Sequence, residues 1–512
     1  MSAEWTAGYV ADIGYTYGYY PELNPLRLQL AFLHAGLVMP QAGTACELGF
    51  GQGVSVNLHA AAGVARWSGT DFNPAQAGFA QELSAASGVP AQLYDESFAE
   101  FGARDDLPQF DYIGLHGIWS WISDENRAIV VDFIRRKLKV GGVLYISYNT
   151  QPGWSSFAPI RHLMTQHAEL MGAPAEGIVS RIDGALAFTD QLLATNPLYS
   201  RVNPQAISRF EKLKEQNRQY LAHEYFNRDW HPMHFATMAE WLEPAKLSFA
   251  CSAHLHDHIE VLNLTAEQRT FIAGLADAGL RQTTRDFMVN QQFRRDYWVK
   301  GARRLTPLEQ AEGLRKVRLV LTTHRGAVPT KVNGSLGEAA LTASIYDPIL
   351  DFMADHQIRT IGEIERVAAA KQISFAVVIE VVMVLAGAGH LAVAQDDPVI
   401  VKARKVTERL NSHLIHKARG AAEVSHLASP VIGGGVQVGR FQQLFILARQ
   451  QGHKSPQELA SFVWAILSGQ GQRISKAGAV LATTEENLAE LTQEAERFNA
   501  QILPVLKALL VA

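Results

Sequence analysis

Between Gly43 and Asn149 the chain alternates short apolar runs with longer amphipathic ones. Short apolar runs bounded by turn residues are typical of buried strands, and apolar positions spaced three and four residues apart are typical of helices. The five apolar runs are TACELGF, RWSGTDF, AQLYDES, FDYIGLHG and VLYISYNT. Because strands and helices alternate, the pattern predicts an α/β fold with a doubly wound parallel sheet and right-handed crossovers.

After Trp154 the pattern becomes helical over a long stretch that contains no strand-like run. We therefore expect a helical insertion at about residues 172–222. The segment FATMAEWLEPAKLSFACSAHL then predicts one helix followed by one strand, and RRDYWVKG predicts a further strand rich in aromatic and branched residues. These two strands would complete the sheet, with one of them running antiparallel.

A charged segment with a proline, ARRLTPLEQAEG, marks the expected domain boundary near Arg304. Residues 1–303 are predicted to form the first domain, and residues 304–512 a second, mainly helical domain. Within the second domain, the segments from DPILDFMADH to SFAVVIEVVMVLAGAGHLAVAQ predict two or three short helices and then a hairpin. This arrangement is compatible with a winged-helix unit and equally with a small helical bundle. Its third helix has no Lys or Arg to contact phosphates, so no DNA reader is inferred.

Composition and charge narrow the class of protein. Apolar residues make up 47% of the chain and charged residues 19%, which is typical of a folded globular protein. The net charge of -4 provides no basic field for nucleic acid, so nucleic acid is not an expected partner. The two cysteines, Cys46 and Cys251, form no C-x-x-C pair. With no signal-peptide pattern and no run of about 18 apolar residues, we expect a cytoplasmic protein without membrane insertion.

The segment Glu47-Leu48-Gly49-Phe50-Gly51-Gln52-Gly53 lies where the first predicted strand passes into the first predicted helix. Glycines at such a turn let a ligand approach the backbone, and the start of the helix offers N–H groups and a positive dipole end. A nucleotide-like ligand is expected across this turn. A tight connection without a ligand is the alternative for a glycine-rich turn taken alone.

Two acidic residues at later strand ends favour an adenosine cofactor. Asp71 ends the second strand about twenty residues after Gly51, where a carboxylate can accept hydrogen bonds from ribose hydroxyls. Asp95, at the end of the third strand, is predicted to lie beside the adenine; a solvent-facing Asp that starts a turn is the alternative. The dinucleotide fingerprint would place its third glycine at Val54, whereas this chain has G-x-G-x-G preceded by Glu47. These departures favour S-adenosylmethionine over NAD.

The motifs ELGFGQG and GTDF resemble the S-adenosylmethionine motifs of class I methyltransferases. More specifically, segments between about residues 9 and 300 resemble bacterial methyltransferases with a methyltransferase regulatory domain, a group that includes protein lysine methyltransferases of outer-membrane proteins. The segments are YVADIGYTYGYYPELNP, ELGFGQG, FDYIGLHGIWSWISDENR, SYNTQPGW and LAHEYFNRDWHPMHFATMAEWLEPAKLSF. The resemblance implies a Rossmann-like, seven-stranded methyltransferase sheet that binds S-adenosyl-L-methionine.

The resemblance also implies which residues bind the cofactor. Carried over position by position, the family pattern assigns this role to Glu47, Gly49, Gly51, Asp71 and Asp95. Phe50 departs from the pattern, because a Cys or Ser usually stands between these two glycines. The full predicted cofactor-binding set is Tyr15, Glu47, Gly49, Phe50, Gly51, Asp71, Phe72, Asp95 and His116.

Methyl transfer from a sulfonium is an in-line displacement in which a neutral thioether leaves. The protein must therefore align the reactants, exclude water and keep the attacking atom unprotonated. Open α/β sheets bind ligands at the carboxyl ends of their strands, which guides the choice of candidate groups. The predicted catalytic residues are His116, Tyr148, Asn149, His223 and Glu224. The alternatives are a histidine merely hydrogen-bonded at a strand end for His116, and a local network near the insertion for His223 and Glu224.

Two further features bear on the site. The metal motif H-E-x-x-H is absent, because Asn227 stands where its second histidine would be, so no metal is predicted. The tyrosines of the run before the first strand are predicted to form a lid over the cofactor, where their rings can attract a sulfonium or an amine. This run contains Tyr15, Tyr17, Tyr19 and Tyr20. Simple packing onto the domain is the alternative.

The leading hypothesis is a methyltransferase that acts on protein lysine side chains, with the C-terminal part presenting or selecting the substrate. Two alternatives stay open: methylation of a small molecule or glycan, and a non-catalytic fold that senses the cofactor or docks partners. The complete set of glycines and acidic residues argues against the non-catalytic alternative. The expected partner is a protein or small-molecule methyl acceptor, and homodimer formation is left open.

Overall fold

The computed structural model describes residues 14, 16–88, 91–172, 177–476 and 478–512. Its main sheet has seven strands: β1 (Thr44–Leu48), β2 (Arg66–Thr70), β3 (Gln92–Tyr94), β4 (Phe110–Leu115), β5 (Leu138–Asn149), β6 (Ser248–Ser252) and β7 (Phe293–Val299). Their order in the sheet is β3-β2-β1-β4-β5-β7-β6. Strand β7 runs antiparallel to both of its neighbours, and the other pairs are parallel. The predicted seven-stranded sheet with one antiparallel strand is confirmed.

One helix follows each of the strands β1 to β4, as the alternating pattern predicts, and a further helix precedes β1. These helices are α1 (Leu28–His34), α2 (Val54–Ala62), α3 (Pro74–Ser87), α4 (Phe98–Ala103) and α5 (Asp124–Lys137). Side-chain caps fix several of their starts. Asn73 accepts a hydrogen bond from the amide of Ala75 before α3, and Ser97 forms a reciprocal capping box with Glu100 before α4. These caps place the starts of both helices directly after the carboxyl ends of β2 and β3.

The helical insertion lies between β5 and β6 and has a core of its own. Its helices are α6 (Ala158–Leu170), α7 (Ile178–Ala194), α8 (Leu198–Val202), α9 (Pro204–Lys214) and α10 (Arg218–Tyr225). Trp154, Phe157, Phe210 and Leu221 are among the buried residues of this core. The helical segment therefore begins earlier than the predicted residue 172 and ends slightly later than residue 222.

Four helices flank the last two strands of the sheet. They are α11 (Phe235–Leu242) before β6, and α12 (Glu260–Asn263), α13 (Ala266–Ala273) and α14 (Ala278–Val289) between β6 and β7. The helix before β6 was predicted from the sequence, whereas α12, α13 and α14 were not. Local signals for two of them exist, because Thr265 forms a capping box with Gln268 and Asp277 accepts a hydrogen bond from the amide of Leu280.

The C-terminal part is mainly helical, as predicted. Its helices are α15 (Pro307–Lys316), α16 (Ala343–Phe352), α17 (Ile361–Ala369), α18 (Phe375–Gly387), α19 (Asp397–Lys417), α20 (Arg440–Gln450), α21 (Pro456–Gly469), α22 (Thr484–Arg497) and α23 (Leu503–Ala508). Its strands are β8 (Arg318–Leu321), β9 (Lys331–Gly334), β10 (Gly337–Ala340), β11 (Arg359–Thr360), β12 (Leu391–Val393), β13 (His426–Ser429), β14 (Gly434–Gln437), β15 (Ser475–Lys476) and β16 (Ala479–Val480).

The hairpin predicted after α18 does not form. Strand β12 instead pairs antiparallel with β8, which lies about seventy residues earlier, and β8 also pairs with β11. The three short helices α16, α17 and α18 pack in sequence next to this three-stranded sheet. The unit thus has the helices and small sheet of a winged-helix arrangement, but its central strand comes from before the first helix.

The part of the chain that contains the seven-stranded sheet and the C-terminal part contribute buried apolar residues to the same core cluster. Val54 and Leu58 of α2 belong to the same core cluster as Leu414 of α19 and Leu427 of β13. On the opposite face of the sheet, α4, α5 and α11 cover β4 and β5. Among the described residues, no helix is both long and apolar enough to cross a membrane. The division at residue 303 stays a prediction, because the two parts contribute to one continuous core.

Candidate active site

The glycine-rich loop between β1 and α2 adopts the backbone conformation that favours glycine. Gly49, Gly51 and Gly53 have φ angles of 71°, 57° and 68°. A Cβ atom on Gly49 would lie 2.5 Å from Cδ1 of Ile118, and one on Gly53 would lie 2.4 Å from Cβ of Ala80. The first glycine therefore keeps the loop close to the segment after β4, and the third allows α2 to pack against α3.

A cavity opens beside this loop, at the carboxyl ends of β1, β2 and β4. Its volume, including the part open to solvent, is about 1100 Å³. The structure brings seven of the predicted cofactor-binding residues to its walls: Glu47, Gly49, Phe50, Gly51, Asp71, Phe72 and His116. Tyr15 lies outside the described residues. The position agrees with the rule that open α/β sheets bind ligands at the carboxyl ends of their strands.

Asp71 holds the glycine loop from the end of β2. Its Oδ2 accepts a hydrogen bond from the amide of Gly51 at 2.8 Å, and its Oδ1 accepts one from the amide of Asn73 at 3.0 Å. Burial raises the pKa of Asp71 to about 6, although the two amides act in the opposite direction. Each carboxylate oxygen can accept more than one hydrogen bond, so Asp71 can also face a ligand hydroxyl.

Glu47 is a buried carboxylate in the wall of the cavity. Its side chain is only 3% exposed, and its Oε2 has no hydrogen-bond partner among the described residues. Burial, and secondly the charge of Asp71, raises its pKa well above the ordinary value. A buried carboxyl group of this kind suits a cationic ligand group. Together with the glycine cradle and Asp71, it fits S-adenosylmethionine, which carries an ammonium, a sulfonium and ribose hydroxyls.

The structure does not bring Asp95 to the cavity. Its side chain is exposed and outside the lining, whereas the next three residues, Glu96, Ser97 and Phe98, line the cavity. Glu96 is held by Arg104, whose Nη1 donates to Oε1 at 2.7 Å. Asp95 lies outside the cavity wall because β3 ends at Tyr94 and the chain turns at once into the cap of α4.

His116 lies in the cavity wall between two tyrosines. Its Nδ1 lies 2.7 Å from the hydroxyl of Tyr145, and its ring stacks on Tyr20 with centroids 3.7 Å apart. Burial lowers its pKa to about 4, so the ring is neutral near pH 7; Glu22 and Arg295 have smaller, opposing effects. His116 is thus a neutral, oriented wall residue and a weak proton acceptor.

Tyr148 and Asn149 do not line the cavity. The hydroxyl of Tyr148 donates to Asp296 at 2.9 Å inside the core on the other face of the sheet. The prediction for Tyr148 was wrong because side chains alternate along a strand, and Tyr145 and Ser147 occupy the cavity face of β5. Asn149 is buried at the strand end, where its backbone amide donates to Oγ of Ser120 at 2.8 Å but its side-chain nitrogen Nδ2 has no hydrogen-bond partner among the described residues.

The other two predicted catalytic residues lie on α10 of the insertion. His223 is buried and outside the cavity lining. Glu224 is half-buried, and its carbonyl accepts a hydrogen bond from Nε1 of the cavity residue Trp121 at 3.3 Å. Burial raises the pKa of Glu224 to about 7, against the opposing charge of Arg209. The structure therefore places the backbone of Glu224, but not its carboxyl group, in contact with a residue of the cavity wall.

The tyrosine run is divided between two locations. Tyr20 lines the cavity, as a lid residue would. Tyr19 turns the other way, with its ring 4.8 Å from that of His426 in the C-terminal part, and Tyr17 packs against Phe79 of α3. Tyr20 therefore has the position expected of a lid over the cofactor, whereas Tyr17 and Tyr19 only pack against other parts of the protein.

Sequence reasoning missed several residues of the cavity wall. These are Gln76, Glu96, Ser97, Phe98, Ile122, Ser123, Asn126 and Asp229. The serines Ser97 and Ser123 had a recognisable signal, since each caps a helix that follows a strand of the sheet. Asp229 had none, because it reaches the cavity from the far end of the helical insertion.

The strand order, the antiparallel β7 and the glycine-rich loop over a cavity define a class I methyltransferase fold. Two family profiles match the chain: a methyltransferase domain over residues 46–146, and a "predicted methyltransferase regulatory domain" over residues 217–300. The chain belongs to the S-adenosylmethionine-dependent methyltransferases that carry this regulatory domain. It is an enzyme whose cofactor is S-adenosyl-L-methionine.

Similar proteins match either nearly the whole chain or a part of it. The "Uncharacterized protein sll1526" of Synechocystis is 40% identical over 510 residues, which is 99% of each chain. The "Uncharacterized protein RP789" of Rickettsia prowazekii is 28% identical over 224 residues, 41% of this chain and 40% of its own. The structure of PKMT2 from Rickettsia typhi in complex with AdoHcy superposes with a TM-score of 0.67 at 16% identity, covering 97% of this chain and 100% of that one. The C-terminal part is therefore included in the likeness of fold.

Proposed function

We propose that the enzyme transfers a methyl group to the ε-amine of lysine side chains in a protein. The observation that carries this proposal is the composition of the cavity wall beside the glycine loop. Tyr20 and Trp121 contribute aromatic rings there, and Asp229 contributes a half-buried carboxylate. Aromatic faces and a carboxylate together attract an ammonium group, which is the form in which lysine arrives near neutral pH.

The amine must lose its proton before it can attack. His116 is a poor acceptor, because its pKa of about 4 leaves no affinity for a proton near pH 7. Glu224 is better suited, since its pKa of about 7 matches the working pH of a general base. Burial raises the pKa of Tyr220, and so do the nearby groups of Glu224 and Tyr20, which supports a location of α10 next to the cavity wall.

The protein's own residues supply alignment and exclusion of water. The cofactor, when bound, supplies a methyl group on a positively charged sulfur. Glu47 offers a buried carboxylate to its cationic groups, and Asp71 fixes the loop that contains Gly51. The neutral rings of His116 and Tyr20 form a desolvated wall that favours a neutral amine over its protonated form.

Two further findings support a protein acceptor. The sequence resembles bacterial lysine methyltransferases of outer-membrane proteins over residues 9–300. The fold matches PKMT2 over nearly the whole chain, including the part beyond the methyltransferase sheet. A small-molecule acceptor is the competing outcome, and the experiment below distinguishes the two.

The test is transfer of a labelled methyl group from S-adenosylmethionine into bacterial lysate, separated into protein and small-molecule fractions. We expect the label in protein, and acid hydrolysis should release it as methylated lysine. The matched control is the Asp71→Ala protein, which should transfer little label. Label confined to small molecules, or released from another type of residue, would refute lysine as the acceptor.

A second experiment tests the role of Glu224. The ionised form of Glu224 accepts the proton, so kcat/KM of the wild type should rise as the pH increases through about 7. Glu224→Gln should remove this rise and lower turnover by about 10²- to 10⁴-fold, the usual contribution of a general base. Glu215→Gln, at an exposed position on the same insertion, is the control and should behave like the wild type. An unchanged pH profile in Glu224→Gln would show that another group accepts the proton.

A further inference from the structure

A second cavity lies between the methyltransferase sheet and the C-terminal part. Its volume is about 1540 Å³, part of it open to solvent. Its walls come from the segment before α1, from β7, from the end of α18 with β12, and from the β13–β14 hairpin. The charged residues in these walls are Glu22, Arg27 and Arg295. None of them lines the first cavity.

The charges of this second cavity do not balance. Arg295 donates from Nη1 to Oε1 of Glu22 at 2.7 Å, which pairs one guanidinium with the one carboxylate in the walls. Burial acts to raise the pKa of Glu22, but the charges of Arg295 and Arg27 outweigh it and lower the pKa, so Glu22 is ionised. Within the described part of the chain, no acidic side chain lies within 4 Å of Arg27. The walls therefore contain one positive charge more than negative charges.

The two arginines also have hydrogen-bond donors without a partner beside the cavity. The Nε atoms of both Arg27 and Arg295 are buried, and neither has an acceptor among the described residues. Leaving a buried donor of a charged group unpaired is costly, and folded proteins usually provide a partner. The histidines of the walls add no charge near pH 7, because burial lowers the pKa of His254 and of His426 to about 4.

We propose that this second cavity binds a small-molecule anion with a carboxylate or phosphate group, held by the guanidinium groups of Arg27 and Arg295. Such a group presents several acceptor oxygens and a negative charge, which suit the guanidinium groups and the excess positive charge of these walls. The cavity has room for an organic anion as well as for an inorganic one. The site is separate from the methyl-transfer cavity, and its existence does not depend on the identity of the methyl acceptor.

The two cavities share one wall. Tyr20 lines the first cavity and stacks on His116, while its neighbours Tyr19, Pro21 and Glu22 line the second. An anion on Arg295 would compete with Glu22 for the same guanidinium. The ligand would therefore contact the segment that positions Tyr20, which gives the anion a physical route to influence the catalytic cavity.

The test is calorimetric titration of the full-length protein with inorganic phosphate and, separately, with succinate, at constant ionic strength. We expect saturable binding of at least one probe, and the preferred probe identifies the type of anionic group. Arg27→Gln should weaken that binding by at least about tenfold, the typical effect of losing a hydrogen bond to a charged group. Arg66→Gln, which removes an exposed arginine at the start of β2, is the matched control and should bind like the wild type.

Binding of S-adenosylhomocysteine by each variant serves as the check that it is folded. If Arg27→Gln fails this check, Arg27→Lys takes its place, since it keeps the charge but loses the Nε donor and the forked geometry. The proposal is overturned if neither probe binds saturably to the wild type. It is equally overturned if a folded Arg27 variant binds the probes as tightly as the wild type.

Discussion

Asp71 is the side chain whose removal tests the cofactor site most directly. Its two carboxylate oxygens accept hydrogen bonds from the amides of Gly51 and Asn73, at 2.8 and 3.0 Å. Asp71→Ala removes both acceptors and any acceptor that the cofactor's ribose would use. Asp71→Asn keeps one acceptor oxygen and loses the charge. The two variants therefore separate the loss of charge from the loss of all contacts.

The size of the effect follows from these contacts. A hydrogen bond to a charged group contributes about 1.5–3 kcal/mol, which corresponds to a roughly 10- to 150-fold change in Kd. We expect Asp71→Ala to weaken S-adenosylhomocysteine binding by this factor and Asp71→Asn to weaken it less. Because burial raises the pKa of Asp71 to about 6, wild-type affinity should also decline as the pH falls through 6. The Asn variant cannot be protonated at this position and should lack the part of the decline that Asp71 causes.

Isothermal titration calorimetry with S-adenosylhomocysteine measures these affinities. Asp95→Ala is the matched control, because it removes an aspartate at the end of the neighbouring strand that is exposed and outside the cavity. It should bind like the wild type. Thermal unfolding of each protein shows whether a loss of affinity reflects a loss of fold. If folded Asp71→Ala binds within twofold of the wild type, the assignment of Asp71 to the cofactor site is wrong.

Three other changes test neighbouring features. Gly49→Ala should abolish cofactor binding. Gly141 has a similar φ but open space around it, so Gly141→Ala should leave binding intact and lower the free energy of unfolding only by the about 1–2 kcal/mol of backbone strain that both variants share. Equal cofactor binding by the two variants would show that the glycine loop does not need Gly49. The wild type should release a proton from Glu47 when the cofactor binds, and Glu47→Gln should abolish this release. Calorimetry in buffers of different ionisation enthalpy measures the number of protons released. No release in the wild type would mean that Glu47 does not contact a cationic group. Tyr148→Phe should lower the free energy of unfolding by about 1–3 kcal/mol, because it removes the buried hydrogen bond to Asp296, and it should leave turnover unchanged. A large loss of turnover would show that Tyr148 does act in the active site.

The strands and the glycine loop were predictable because their signals are local. Each parallel strand is a short apolar run, and β1 is followed by glycines that must adopt positive φ. The direction of a side chain at a strand end is not local in the same way. Tyr148 lies next to the end of an obvious strand. Side chains alternate along this strand, but which of its faces points to the cavity depends on how β5 packs in the whole sheet, and Tyr148 lies on the core face. The exposed position of Asp95 likewise depends on where β3 stops.

The parts that sequence reasoning missed depend on contacts between distant residues. Asp229 reaches the cavity from the insertion, more than a hundred residues after β4. Strand β12 has the apolar pattern of a hairpin strand, yet its partner β8 precedes it by three helices. Such pairings follow from packing that no single segment specifies, whereas the helical character of the C-terminal part follows from periodicity alone.

The continuous core described for α2 has a consequence for cutting the chain. Val54 and Leu58 are almost fully buried, and their cluster is composed largely of side chains beyond residue 303. Burying such a side chain contributes about 1.5–3 kcal/mol, so exposing two of them would use up a large share of the about 5–15 kcal/mol that keeps a domain folded. A truncated chain that ends at the predicted boundary would expose the apolar face of α2 to solvent and aggregate. The enzyme should therefore melt in one cooperative step.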